Sequence, residues 1–244
     1  MPAILETWEV QPHEDLIEID DGILTVAGDI VMPLGNFPRR MTVVRLTGDR
    51  TAIWSAMALN PSEMARIEAM GRPSFLIVPN DFHRMDAKIW KGRYPEIKVV
   101  TPPGARARVA EIVPVDATSD ILGDPDVQFV TMPGTEEHEG ALIIRRSGGV
   151  TLVINDVIGN VRHPRGIGAH ILARLMGFGV SGPRVPRPVK FRMIKDRSAL
   201  AAQFSAWVDM DGLRRIIVSH GEPISNPRDV LRDLAGQLTQ AQGG

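Results

Sequence analysis

An apolar run that leads directly into a dense polar stretch is the feature that most constrains this chain. Residues 75–78 read Phe-Leu-Ile-Val, residues 80–86 read Asn-Asp-Phe-His-Arg-Met-Asp, and a helix-like segment follows at 87–94. This order predicts a buried strand that meets a helix through a polar loop. In layered α/β proteins such loops carry reactive groups, because the strand fixes them while the loop exposes them. Asp and His are also metal-ligand types, so we interpret the stretch as one wall of a metal site.

Three later polar side chains follow strand-like segments in the same way, namely His138, Asp156 and His220. Each stands where a strand delivers a side chain to one rim of a sheet. We therefore predict that they supply the other walls of the site. A competing interpretation assigns Asp156 to the turn after its hairpin and the acidic run 136–139 beside His138 to a solvated loop.

The absence of cysteine limits the ligands that such a site can use. With no cysteine in 244 residues, disulfides, thiolate nucleophiles and Cys-bound zinc are excluded, so a metal needs His and carboxylate ligands. The 28 basic and 29 acidic residues give a net charge of −1, so we expect a small-molecule substrate and neither a nucleic-acid nor a membrane partner. The N-terminus has no signal-peptide pattern, and we expect a cytoplasmic protein.

The order of the predicted elements indicates one domain built around two sheets. Hairpin patterns occur within 41–55 and within 141–154, each with helical patterns after it, and no linker divides the chain. We predict a single α/β domain over residues 1–244, with an N-terminal extension at about 1–22.

These segments together resemble the metallo-β-lactamase superfamily. There, an apolar strand runs into a His-x-His-x-Asp-His cluster, and later elements supply a His after a Pro-Gly turn, an Asp and a last His. The resemblance covers about residues 40–225. Residues 53–103 are most similar to a poorly characterised branch with Pro-Asn-x-x-His in place of the usual cluster, here Pro79-Asn80-Asp81-Phe82-His83. The resemblance to the superfamily implies a four-layer αββα sandwich.

The degenerate cluster can be aligned with the superfamily motif in two ways. One alignment sets His83 on the second His and Asp86 on the last His, which leaves a carboxylate-rich variant. The other starts from the strand end, sets Asn80 on the first His and Phe82 on the second, and nearly abolishes the cluster. The sequence leaves both alignments open.

The resemblance implies a divalent-metal site, with zinc the usual ion and iron or manganese in some members. By the first alignment, His83 and His138 with a carboxylate of the cluster hold one metal, Asp156 bridges, and Asp86 and His220 hold the second, with Asp86 also the candidate catalytic residue. The implied reaction is hydrolysis of a small ester, lactone, thioester or phosphoester by a metal-activated water. The alternative is a non-catalytic protein of the same fold, with a decayed site and no metal, that binds a ligand or partner.

An Arg-rich stretch lies outside these motifs. It has the composition of a surface that attracts an anionic substrate or partner, but the interleaved prolines favour an exposed, extended crossing strand. Its members are Arg184, Arg187, Lys190 and Arg192, with Pro183, Pro186 and Pro188 between them.

Overall fold

The computed structural model describes residues 3–31, 36–164 and 167–240. The two ends of the predicted domain, residues 1–2 and 241–244, lie outside these ranges. Within the described part of the chain, no helix is long and apolar enough to cross a membrane.

Among the described residues, ten strands form two sheets. The first sheet has six strands in sequence order, β1 to β6: Ile17–Asp20, Ile23–Ile30, Phe37–Leu46, Arg50–Trp54, Arg72–Ile77 and Lys98–Val100. The second sheet has the order β10-β9-β8-β7, with β7 at Val127–Thr131, β8 at Gly140–Arg146, β9 at Gly149–Ile154 and β10 at Leu213–Val218. The two predicted hairpins are β3–β4 and β8–β9, both antiparallel.

In the part of the chain that the structure describes, seven α-helices lie between or after these strands. They are α1 Pro61–Met70, α2 Ala87–Arg93, α3 Arg106–Ala110, α4 Ile167–Met176, α5 Arg187–Arg192, α6 Arg197–Val208 and α7 Pro227–Gln240. The helix starts at Asn60-Pro61 and Asn226-Pro227 follow from proline at the first helical position, where the missing N–H costs no hydrogen bond.

Three separate buried apolar clusters divide the molecule into four layers. One cluster lies between the sheets and includes Trp54 and Val153. A second packs Met64 of α1 and Trp90 of α2 on the outer face of the first sheet, and a third packs helices α6 and α7 on the outer face of the second. Strand β9 shows the cause, because Leu152 and Val153 point to opposite faces and join different clusters. The structure therefore confirms the predicted αββα sandwich.

The described part of the predicted N-terminal extension packs against the first sheet. Strand β1 is the edge strand of that sheet. The Trp8 indole N–H donates to the Leu59 carbonyl oxygen at 3.0 Å, and its ring lies 5.6 Å from that of Trp90. These contacts tie residues before β1 to the same core as α2.

The Arg-rich stretch contains a short helix, α5, where the sequence favoured an extended strand. Pro186 stands just before the helix with extended backbone angles, and Pro188 lies in its first turn. A proline in the first turn removes only an N–H that has no partner within the helix. The prolines thus start a helix here.

Candidate metal centre

The two sheets meet at one edge, where the polar side chains converge. Strands β9 and β10 are parallel, with Val218 opposite Ile154. Asp156 and His220 each stand two residues beyond those strand ends, so they leave the second sheet at the same edge. The loop after β5 brings His83 to this edge from the first sheet.

Three side-chain atoms form a compact buried cluster. His220 Nε2 lies 2.7 Å from Asp156 Oδ1, His83 Nε2 lies 3.2 Å from the same oxygen, and the two imidazole nitrogens are 3.1 Å apart. All three side chains are about nine-tenths buried. Among the described residues, this is the group of potential ligand atoms that could hold a metal ion, and neither Asp86 nor His138 belongs to it.

The separations in this cluster fit a divalent cation. In a tetrahedral zinc site with bonds of about 2.0–2.2 Å, ligand atoms lie roughly 3.4 Å apart. The three pairs of atoms therefore need to move apart by about 0.2–0.7 Å, with the largest change between His220 Nε2 and Asp156 Oδ1. Two imidazoles and one carboxylate are a donor set used for zinc, iron and manganese, and such a site leaves a coordination position for water.

Charge in the cluster is distributed so that the carboxylate stays ionised. Burial alone would raise the pKa of Asp156, but His83 and His220 outweigh it and hold that pKa well below its ordinary value. Burial lowers the pKa of His83, which favours the neutral imidazole needed for metal binding. Burial also opposes the charged form of His220, yet the hydrogen bond to Asp156 raises its pKa.

Neighbouring groups orient both imidazoles. His220 Nδ1–H donates to the Pro38 carbonyl oxygen at 2.7 Å, which leaves Nε2 directed at Asp156. Ser55 Oγ lies 2.7 Å from His83 Nδ1 and orients that ring in the same way. Such partners fix the tautomer and the ring position of a metal-binding histidine.

Asn80 and Glu139 form hydrogen bonds that hold Asp156 in place. The Asn80 amide donates to Asp156 Oδ2 at 2.7 Å, and its carbonyl oxygen accepts the N–H groups of Phe82 and His83. Glu139 Oε1 accepts the backbone N–H of Asp156 at 2.9 Å. Burial, with the negative charge of Asp156, raises the pKa of Glu139 well above its ordinary value.

Replacing Asn80 with alanine should weaken the metal centre while leaving its three ligands in place. Asp156 would lose its donor, and the N–H groups of Phe82 and His83 would lose their acceptor. We expect metal affinity to fall about 10–100-fold and the free energy of unfolding to fall by about 1–3 kcal/mol. Isothermal titration and urea unfolding measure the two effects. An Asn80→Ala protein with unchanged affinity would show that Asn80 does not position Asp156.

Asp86 has a different set of partners. Its carboxylate pairs with Arg39, with both side chains buried, and Oδ1 accepts the Ala58 N–H at 2.9 Å. Burial raises the pKa of Asp86, and Arg39 opposes that shift. The structure does not bring Asp86 into the cluster of His83, Asp156 and His220. Its predicted roles as a ligand and catalytic residue stay predictions.

His138 is also held away from the cluster. Its Nδ1 lies 3.1 Å from Asp81 Oδ1, and its side chain is 37% exposed. The loop before it has a left-handed backbone at Glu136 and Glu137. The loop also packs tightly on Gly104, where an added Cβ would lie 2.7 Å from the His138 ring. The ligand role of His138 likewise stays a prediction.

Sequence reasoning missed Ser55, which contacts His83, and Arg39, which pairs with Asp86. Ser55 directly follows β4, so the rule that polar groups after strands gather at one edge could have found it. Arg39 lies near the start of β3, and no local signal marks it as the partner of Asp86.

Solved structures share this architecture. The metallo-β-lactamase FIM-1 from Pseudomonas aeruginosa, in its mono-zinc form, has a TM-score of 0.62 at 12% identity, over 93% of this chain and 96% of that chain. A metallo-β-lactamase from Hirschia baltica has a TM-score of 0.60 at 13% identity, over 93% of this chain and 98% of that chain. A metallo-β-lactamase from Pontibacter korlensis has a TM-score of 0.62 at 9% identity, over 94% of this chain and 99% of that chain. No family model matches the chain, and no curated protein matches it.

The two stacked sheets, with helices on both outer faces, define an αββα sandwich. The chain has the metallo-β-lactamase fold, as the sequence resemblance implied. Identities of 9–13% concern the fold alone, and the same fold hosts different chemistries. Function must therefore be argued from the residues of this chain.

Proposed function

We propose that this protein is a metal-dependent hydrolase with a single divalent cation held by His83, Asp156 and His220. The observation that carries the proposal is the convergence of two imidazole nitrogens and one ionised carboxylate oxygen within 3.2 Å of one another. Zinc is the ion that we favour, with iron or manganese compatible with the same ligands. A cation in such a site lowers the pKa of bound water to about 7, which makes hydroxide available for hydrolysis.

The surroundings of the cluster suit a small substrate. A cavity of about 30 Å³ adjoins His83 and Ser55, enough to admit a water molecule. A larger cavity of about 230 Å³ is lined by Pro38, Arg40, Arg162 and Gly221, of which Pro38 accepts the hydrogen bond of His220 Nδ1–H. This volume is below the roughly 300–1,000 Å³ typical of drug-sized ligands. We therefore propose a small ester, lactone, thioester or phosphoester as the substrate.

Metal content and hydrolysis test this function together. Purified protein should hold about one divalent ion per chain, and one of a panel of chromogenic esters, lactones, thioesters and phosphoesters should be hydrolysed. Removal of the ion with a chelator should stop hydrolysis, and its return should restore it. His138→Ala, which changes an imidazole outside the cluster, should keep the ion and serves as the matched control.

Two outcomes would contradict the proposal in different ways. Protein that takes up no zinc, iron or manganese would leave the cluster as a hydrogen-bonded network, as the non-catalytic alternative requires. Protein that binds the ion but hydrolyses no member of the panel would retain the metal site and remove the proposed activity.

A further inference from the structure

Basic residues are concentrated in one segment of this nearly neutral chain. Over residues 157–198, Arg and Lys occupy nine positions against one Asp. This segment contains α4 and α5, which lie between β9 and β10. The prediction of no membrane partner rests on the net charge of −1 for the whole chain. That net charge does not reveal the local excess of positive charge in this segment.

Large apolar side chains are exposed on the same two helices. Phe191 of α5 is 76% exposed, and Leu175 and Ile171 of α4 are 61% and 55% exposed. Soluble proteins scatter single exposed apolar residues, but a group of them marks an interaction surface. We call the group the α4–α5 surface; it comprises Ile171, Arg174, Leu175, Met176, Arg187, Phe191 and Arg192.

Contacts between the two helices join these residues into one surface. Arg187 Nη1–H donates to the carbonyl oxygen of Leu175 at 3.1 Å, which holds the start of α5 against the end of α4. Phe191 stands four residues after Arg187, so it lies on the same side of α5. Ile171 stands four residues before Leu175, on the same side of α4. Arg174 and Arg192 are exposed and directly adjacent in sequence to Leu175 and Phe191, so each of these two apolar side chains has an arginine beside it.

We propose that the α4–α5 surface docks on an anionic lipid bilayer. Aliphatic and aromatic side chains bordered by arginine are the composition of helices that lie in the membrane interface. Arginine near the bilayer surface is attracted by acidic headgroups, while the apolar side chains enter the acyl boundary. The surface adjoins the metal centre, because Phe178, two residues after α4, lies 6.4 Å from the His220 ring.

The same observations disfavour two other occupants. A two-fold dimer through this surface would bring the arginines of both copies into one interface with no acidic side chain of the surface to pair with them, and like charges repel. Single-stranded nucleic acid needs several aromatic rings on which bases stack. Among the described residues of the α4–α5 surface, Phe191 is the one aromatic side chain.

Vesicle flotation of the full chain tests the proposal. The two preparations are phosphatidylcholine alone and phosphatidylcholine mixed with an equal amount of phosphatidylglycerol. The protein should float only with the acidic vesicles, and added salt should release it. Arg174→Gln/Arg192→Gln should lower the partition coefficient roughly 25-fold, at about fivefold for each arginine. Phe191→Ser should lower it several-fold without loss of folded protein, because Phe191 is exposed.

Arg106→Gln/Arg232→Gln is the matched control, since it removes two exposed arginines from α3 and α7. It should bind acidic vesicles like the unchanged protein. The proposal is overturned if no acidic vesicle is bound, or if both double variants bind equally well. It is overturned equally by a dimer that Phe191→Ser abolishes, or by tighter binding to single-stranded DNA than to acidic vesicles.

Discussion

Replacement of Asp156 with asparagine should lower the affinity for the divalent ion by at least about 100-fold, more than the loss of a group that only orients a ligand. Asp156 Oδ1 is the atom that contacts both imidazoles, and asparagine keeps its shape while removing its charge. The pKa of Asp156 lies well below its ordinary value, so at neutral pH the carboxylate meets the ion without competition from a proton. Competition with a chelating dye measures the affinity.

Asp81→Asn is the matched control for this experiment. Asp81 is another carboxylate of the loop after β5, but its partner is His138, which lies outside the cluster. The control should bind the ion like the unchanged protein. Equal losses of affinity in both variants would mean that the ion is held by a wider set of ligands that includes His138.

Replacement of Asp86 with alanine should lower the free energy of unfolding by about 3–5 kcal/mol. The change would leave the buried guanidinium of Arg39 without its carboxylate. Arg39 Nε and Nη2 already have no hydrogen-bond partner and are buried, so neighbouring groups do not compensate for the loss. Urea unfolding measures the effect. The slope of the unfolding free energy against urea concentration should stay unchanged, which would show that the native and unfolded states keep their compactness.

The double variant Arg39→Met/Asp86→Ala distinguishes the loss of the Arg39–Asp86 ion pair from the loss of a metal ligand at Asp86. Removal of both charges should restore much of the lost stability, because no uncompensated charge remains. Its metal affinity should stay within a few-fold of that of the unchanged protein. Loss of the ion together with little loss of stability in Asp86→Ala would instead establish Asp86 as a ligand, the role implied by the first alignment.

The fold was predictable because its signals are local. Apolar runs bounded by turn residues located the strands of both hairpins, and proline after asparagine located the starts of α1 and α7. The exception is α5, where prolines in an arginine-rich stretch are compatible with either an extended segment or the first turn of a helix. What decides between them is the packing of Val189 into the outer core of the second sheet.

Only part of the site could be predicted from the sequence. Asp156 and His220 follow parallel neighbours in the same sheet, so the position of each in its own strand already places both at one edge. Asp86 also follows a strand, but its partner Arg39 comes from a strand 47 residues earlier, and nothing local to either residue reveals their contact. His138 follows two residues with left-handed backbone, Glu136 and Glu137, and residue type alone does not predict that conformation.

The origin of the three proposed ligands in two different sheets has a thermodynamic consequence. His83 comes from the loop after β5, whereas Asp156 and His220 follow strands of the second sheet. An ion bound to all three would be a non-covalent cross-link between the two halves of the sandwich, and it would bind the native chain but not the unfolded one. By linkage, a free ion concentration 100 times the dissociation constant adds about 2.7 kcal/mol to the free energy of unfolding. The melting temperature of the chain would then rise with the free metal concentration.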